Sequence, residues 1–232
     1  MIDLLAPAPE FEIFDENTTL KWPGNHVFLI PSDRYFEQIK THYTTVLSAA
    51  EMKKAKNFLR TEDHNRYVVR KYFLRNLLAL LSDTQPQEIR FDLIGNKKPV
   101  VEGIPFNVSH SMNLVAVAIS TSAAGIDIEF IKQDFSYQMM LSDCFSSMEQ
   151  MKIENAVDPL QCFYTLWTRK EALLKASGTG IINDNLQEVD VLLSLCKYED
   201  RAYRLWSGLV SEHYILTTAF SSDSEKIYYW TL

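Results

Sequence analysis

The sequence predicts a mixed α/β fold (α+β) of two pseudo-twofold-related halves, each a helix packed on a small, mainly antiparallel sheet, with a cleft between them. Three observations lead there. The order strand, helix, meander occurs twice along the chain, and "NLVAVAIS" and "HYILTTAFS" hold matching places in the two runs. The small polar residues "STSAA" around Thr121 to Ala124 mark the natural boundary, dividing a first half, 1–121, from a second, 122–232. A chain of 232 residues that is 47% hydrophobic and 12% aromatic can bury a full core in such a fold.

In the first half "HVFLI" reads as a strand, followed by a helical region from Ala49 to Leu81 in which Val69, Phe73, Leu77 and Leu81 recur at four-residue steps and build an apolar stripe. Short strands follow at "IRFDLI", "KPVV" and "LVAVAIS". The second half opens on "GIDIEFI" and runs through helical segments ending in "PLQCFYTLWTRKEALLKASG". Gly178 is placed to end that helix, since it tolerates positive φ. The half closes with the strands "EVDVLLSL", "YRLWSGL", "HYILTTAFS" and "KIYYWTL".

Composition excludes several classes. The formal charge of −7 argues against broad nucleic-acid binding, which needs a basic face. No apolar run approaches the roughly 18 residues of a membrane span, and no charged-then-apolar leader opens the sequence, so a soluble, cytoplasmic protein is expected. Three cysteines, Cys144, Cys162 and Cys196, form an odd set without metal-type spacing, which suits free thiols in a reducing compartment.

The chemistry gathers in three stretches. In "GIDIEF" Asp127 and Glu129 are two apart on a strand, so both carboxylates emerge on one face while Ile126 and Ile128 take the other. On an exposed face water would screen the pair; flanked by apolar residues, it needs a cation or a shared proton. In "WTRKEALLKASGTG" Trp167, Glu171 and Lys175 share a helix face, where Glu171 and Lys175 make a surface ion pair or serve the same site. Glu171 would complete an oxygen-only donor set of the kind magnesium prefers, usually shared with water and substrate phosphates. In "FNVSHS" Ser109, His110 and Ser111 offer hydroxyl and imidazole donors to phosphate oxygens, or form a polar turn. Upstream, Lys53, Lys54, Lys56 and Arg60 fall within about two helical turns and offer a second phosphate site. The sequence has no P-loop, no G-x-G-x-x-G and no G-x-S-x-G elbow.

"FNVSHS", "GIDIEF" and "WTRKEALLKASGTG", in this order, closely resemble the 4′-phosphopantetheinyl transferases of the Sfp type, over most of the chain from Glu51 to Gly180. The shorter holo-acyl-carrier-protein synthases share the last two motifs, but at about half the length. The resemblance implies a pseudo-twofold molecule that binds coenzyme A in its cleft and, with magnesium, transfers 4′-phosphopantetheine to a serine of an apo carrier protein. It implies that Asp127, Glu129 and Glu171 hold magnesium, that Glu171 is also the general base, and that Lys175 meets the phosphates with Lys170 as its basic neighbour. Ser109 and His110 match the pair facing the coenzyme A phosphates. Lys98 and Pro99 match the family's G-K-P, with Lys97 in place of its glycine, and Lys54 and Arg66 fall where the 3′-phosphate is met, with Glu51 where a lysine can occur. Two halves in one chain imply a monomer. Two other functions remain open on these residues: a magnesium-dependent phosphohydrolase using water, and a non-catalytic module binding coenzyme A or a carrier. Phe135, Tyr137, Met139 and Met140 are either core or a docking surface for the carrier.

Overall fold

A computed structural model describes residues 4–15, 17–82, 84–94, 98–180, 185–223 and 226–232. After a short strand β1 (Glu12–Ile13) come β2 (Asn25–Pro31), helices α1 (Ser32–Ile39), α2 (Ala49–Ala55) and α3 (Thr61–Ser82), then β3 (Asp92–Ile94), β4 (Lys98–Val100), β5 (Phe106–Ser111) and β6 (Leu114–Ile119). β7 (Ala124–Phe130) leads into α4 (Leu141–Cys144), α5 (Ser147–Glu154) and α6 (Pro159–Ser177). The chain ends with β8 (Leu195–Tyr198), β9 (Arg201–Ser211), β10 (Tyr214–Ser221) and β11 (Ile227–Thr231). One sheet has the order β1-β11-β2-β6-β5, a second β7-β10-β9-β8, and β3 pairs with β4 alone.

Alternation along the strands builds the layers. In β2 Phe28 and Ile30, and in β6 Val115, Val117 and Ile119, face α3 and join Val68, Leu74, Leu77 and Leu78 in one core. The intervening Val27, Leu29, Ala116 and Ala118 face the second sheet, where they meet Ile126, Ile128, Leu216 and Phe220. A third core lies between the second sheet and α6, built on Phe163, Leu166, Leu173, Tyr203 and Ile215. The two sheets thus pack face to face, with α3 outside one and α6 outside the other.

Three elements differ from the sequence expectation. The helical region from Ala49 breaks into α2 and α3: Ser48 and Glu51 cap α2 reciprocally, and a new helix starts at Thr61 with Glu62 and Asp63 in its first turn, suited to the helix dipole. Lys53 and Lys54 consequently lie on α2 while Arg60 precedes α3, so the basic residues do not share one helix. "EVDVLLSL" is a loop up to Leu195 rather than a strand, because side chains claim its backbone: Lys170 Nζ donates to the carbonyls of Leu186 and Val189, Arg169 Nη2 to that of Leu193, and Glu149 Oε1 accepts from Val191 N. Finally, β11 leaves the second half and pairs parallel with β2 in the first sheet. Trp230 anchors it there, its indole N–H donating to His26 Nδ1 at 3.0 Å. At the other terminus Leu4 packs in the core under α6, so each end of the chain is strapped to the opposite half.

Candidate active site

The site forms where β7, the edge of the second sheet, meets α6 on one side and β5, the edge of the first sheet, on the other. Gly125 makes the first contact possible. A Cβ there would stand 1.9 Å from Ala172 O and 2.6 Å from Ala176 N, so only a glycine lets β7 approach α6 this closely. Two residues on, on the same strand face, Asp127 receives Lys175 Nζ at 2.6 Å, and Lys175 also lies 3.8 Å from Glu171 Oε2. α6 holds these residues firmly: Asp158 caps its start by accepting from Gln161 N at 2.9 Å, and Gly178, at φ 85°, closes its end with a hydrogen bond to Leu174 O.

From β5, alternate side chains reach β7. Asn107 Oδ1 accepts from Ile126 N at 3.0 Å, Ser109 Oγ donates to Asp127 Oδ1 at 2.7 Å, and Ser111 Oγ donates to Glu129 Oε2 at 2.8 Å. Lys175 Nζ also approaches Ser109 Oγ at 3.3 Å. The two sheets are therefore joined at this corner by side chains, since β5 and β7 are edges of different sheets.

Burial sets the electrostatics. It raises Asp127 above the ordinary carboxylate range, opposed by Lys175 and Ser109, and it raises Glu129 with help from the Asp127 charge. Glu171 is pushed up to about 7 by burial, against the pull of Lys175, with Asp127 and Glu129 adding to the rise. Lys175 loses solvation too, but the attraction of Asp127 and Glu171 outweighs that loss and holds it above its usual value, so it stays charged.

Glu129 and Ser111 also line a cavity of about 500 Å³. Arg66, Arg70 and His110 also line it, and Phe58, Tyr67, Phe135, Phe163, Tyr164 and Trp167 supply apolar surface. His110 is exposed at the rim of the cavity; partial desolvation and the charges of Arg70, Lys175 and Arg66 lower it below its ordinary value, so it is neutral near pH 7. Arg66 is steadied by Asp63 at 2.7 Å and donates to Met112 O at 3.0 Å.

The residues singled out from sequence thus fall into groups. Asp127, Glu129, Glu171, Lys175 and Ser109 come together, and His110 and Arg66 line the adjoining cavity. Lys54 is exposed on α2 with its ammonium 5.6 Å from the Tyr67 ring centre. Pro99 is half-buried in β4, the side chain of Lys98 and the whole of Lys97 lie outside the described residues, and Glu51 is a structural acid paired with Arg75 at 2.7 Å and Lys71 at 3.3 Å. Lys170 departs from its expected place beside the phosphates. It is 1% exposed and pairs with the buried Glu149 at 2.7 Å on the far side of α6. Five residues from Lys175 is about 140° around a helix, so the two lysines cannot serve one site. Arg70, one turn after Arg66, is one cavity residue the sequence reading missed, as is Lys132; for Arg70 the four-residue spacing that puts both arginines on one helix face was the available signal.

Fold and site define an enzyme with buried acids and a lysine in a corner between two sheets, opening on a basic and aromatic cavity. Comparison with known proteins makes the class particular. Residues 123–219 match the 4'-phosphopantetheinyl transferase superfamily. The chain is 30% identical over 187 residues to the 4'-phosphopantetheinyl transferase HetI of Nostoc sp., covering 77% of this chain and 78% of that one. It is 31% identical over 185 residues to a putative 4'-phosphopantetheinyl transferase of Synechocystis sp., covering 76% and 74%. Against the 4'-phosphopantetheinyl transferase Sfp of Bacillus subtilis it is 27% identical over 161 residues, covering 67% and 71%. The chain belongs to the 4'-phosphopantetheinyl transferase family.

Proposed function

We propose that this chain transfers the 4′-phosphopantetheine group from coenzyme A to a serine of an apo acyl or peptidyl carrier protein, releasing 3′,5′-ADP, and that it does so with magnesium. The observation that carries the reading is the Asp127, Glu171 and Lys175 cluster beside a cavity lined by Arg66, Arg70 and Glu129.

The donor set fits a hard divalent cation in kind. Asp127 Oδ2 is buried without a hydrogen-bond partner, leaving its lone pairs free, and every candidate ligand is a carboxylate oxygen. Among the described residues no three of His, Cys, Asp and Glu stand close enough to hold a metal as they are, so Lys175 and the acids must adjust to admit one. Asp127, Glu129 and Glu171 would hold the ion, which when bound supplies charge neutralisation to a pyrophosphate.

The remaining work belongs to the chain's own side chains. Glu171, near 7, is suited to accept the proton of the carrier serine hydroxyl. The serine oxygen forms the new bond to phosphorus, the bond from that phosphorus to the bridging oxygen breaks, and 3′,5′-ADP leaves with the electron pair. Lys175 stabilises that departing charge. Arg66, Arg70 and neutral His110 receive phosphate oxygens in the cavity, and the aromatic wall excludes water from the reacting group. Positioning and electrostatics are the main requirements of such a transfer.

On this reading the halves 1–121 and 122–232 each supply one wall of the site, the chain acts as a monomer, and its place is the cytoplasm, where carrier proteins are made. No helix among the described residues is long and apolar enough to cross a membrane. The test is intact-protein mass spectrometry of an apo acyl carrier protein incubated with this protein, coenzyme A and magnesium, beside a chelator control. A metal-dependent gain of one phosphopantetheine mass is expected. Hydrolysed coenzyme A without carrier modification would favour a phosphohydrolase, and bound but unreacted coenzyme A across several carrier types would favour a binding module.

A further inference from the structure

Ser111 has a different use from the phosphate contact its motif suggested. Its hydroxyl lies between two groups of β7: Phe130 N donates to Ser111 Oγ at 3.0 Å, and Ser111 Oγ donates to Glu129 Oε2 at 2.8 Å. A serine hydroxyl carries a single proton. Because its oxygen already accepts from an amide, that proton goes to the carboxylate. Ser111 therefore grips Glu129 at its side chain and at the peptide that follows, fixing how the acid leaves the strand. The partners are 18 and 19 residues apart and belong to different sheets, so the grip passes from one half of the molecule to the other.

Asn107, four residues earlier on the same face of β5, provides an internal contrast. It also bridges to β7, but its Oδ1 accepts from the Ile126 peptide and not from a carboxylic side chain, and it is buried. Asn107 holds only the β7 backbone, whereas Ser111 holds both the β7 backbone and a functional acid. Ser109 repeats the Ser111 arrangement one step inward, with Lys175 approaching its oxygen and Asp127 accepting its proton.

We infer that Ser111 is a positioning residue for Glu129: through it the first sheet sets one carboxylate of the metal site, leaving the other Glu129 oxygen for the cation. The inference rests on the magnesium reading above. Hydrogen-bond partners of ligating groups are typically worth about 10- to 100-fold in metal affinity.

The test is calorimetric titration of manganese(II) into the wild-type protein, Ser111→Ala, Ser111→Thr and Asn107→Ala, each with its thermal midpoint recorded. Ser111→Ala should weaken binding by about tenfold or more while the midpoint stays close to wild type, and Ser111→Thr, which keeps the hydroxyl, should restore the affinity. Asn107→Ala should lower the midpoint and leave the affinity unchanged. If Ser111→Ala does not fold, Ser111→Cys, similar in size but a weak donor, should show the same loss of affinity. Unchanged affinity in the Ala or Cys variant, or an equal loss in Asn107→Ala, overturns the positioning role while the metal reading stands. Absence of binding to the wild type overturns the metal reading itself, and this inference with it.

Discussion

Lys170 and Lys175 occupy two ion-pair pockets on different faces of one helix, and the pockets are built for opposite ends. Around Lys170 every position is filled: Glu149 lies at 2.7 Å, Leu186 O at 2.9 Å and Val189 O closer still, with both charged side chains 1% exposed or less. The Lys175 pocket is more open. Its side chain is 27% exposed while contacting Asp127, Ser109 and Glu171, and Asp127 keeps a buried oxygen without a hydrogen-bond partner. A closed pocket organises the fold, here by pinning the loop before β8 to α6. An open one retains capacity for a ligand. Burial of the acids alone does not distinguish the pockets, since Asp127 is nearly as buried as Glu149; the exposure of Lys175 and the unpartnered Asp127 oxygen do.

The strongest way to break this contrast is to remove the open pocket's acids. Asp127→Ala and Glu171→Ala should each reduce carrier modification by at least about a thousandfold with the fold intact by circular dichroism, on the scale of losing a principal catalytic group. Wild-type turnover in either variant would sink the assignment. In the closed pocket, Lys170→Met strands a buried carboxylate and should cost about 3–5 kcal/mol in urea unfolding. A midpoint shift too small to resolve would mean that Glu149 finds other partners readily.

Glu171 sharpens the comparison through pH. As a base it works deprotonated, so kcat/KM should rise with pH and level off at or below about 7, a bound cation drawing the limb downward. A profile flat down to about pH 5 would argue that another group takes the proton. A smaller effect is expected at His26, far from either pocket. The Trp230 indole only donates, so His26 Nδ1 must accept and Nε2 carries the proton given to Lys21 O at 3.1 Å. Burial lowers this histidine below its usual 6.5, against the opposing carbonyl of Lys21. The folded state then declines a proton that the unfolded chain accepts. The contribution is complete above about 6.5 and is lost as pH falls toward the depressed folded value, so the thermal midpoint should drop in that window and His26→Gln should flatten the drop. The smallest effect belongs to Cys162, a half-buried thiol apart from the site, where Cys162→Ser should leave carrier modification unchanged.

Much of the site could be read from local pattern because local rules govern it. Strand alternation separates Asp127 and Glu129 from Ile126 and Ile128, and helical spacing aligns Glu171 with Lys175. What escaped depends on partners distant in sequence. Lys170 looks like a second phosphate contact until Glu149 appears beside it, and "EVDVLLSL" has the composition of a strand although α6 side chains occupy its carbonyls. β11 carries strand propensity, but its sheet is decided by partners distant in sequence, β2 alongside it and His26 under Trp230. Arg70 was overlooked for another reason: its value comes from sharing a cavity with His110 on β5 and Glu129 on β7, two strands remote from α3 in sequence.

The most direct test of the closed and open pockets is a paired measurement of carrier modification, by intact mass, for Lys170→Met and Lys175→Met at a temperature where both remain folded. The account predicts that Lys170→Met, though less stable, modifies the carrier at the wild-type rate per folded molecule, and that Lys175→Met loses the reaction. Loss of the reaction in folded Lys170→Met, or its retention in Lys175→Met, would contradict it.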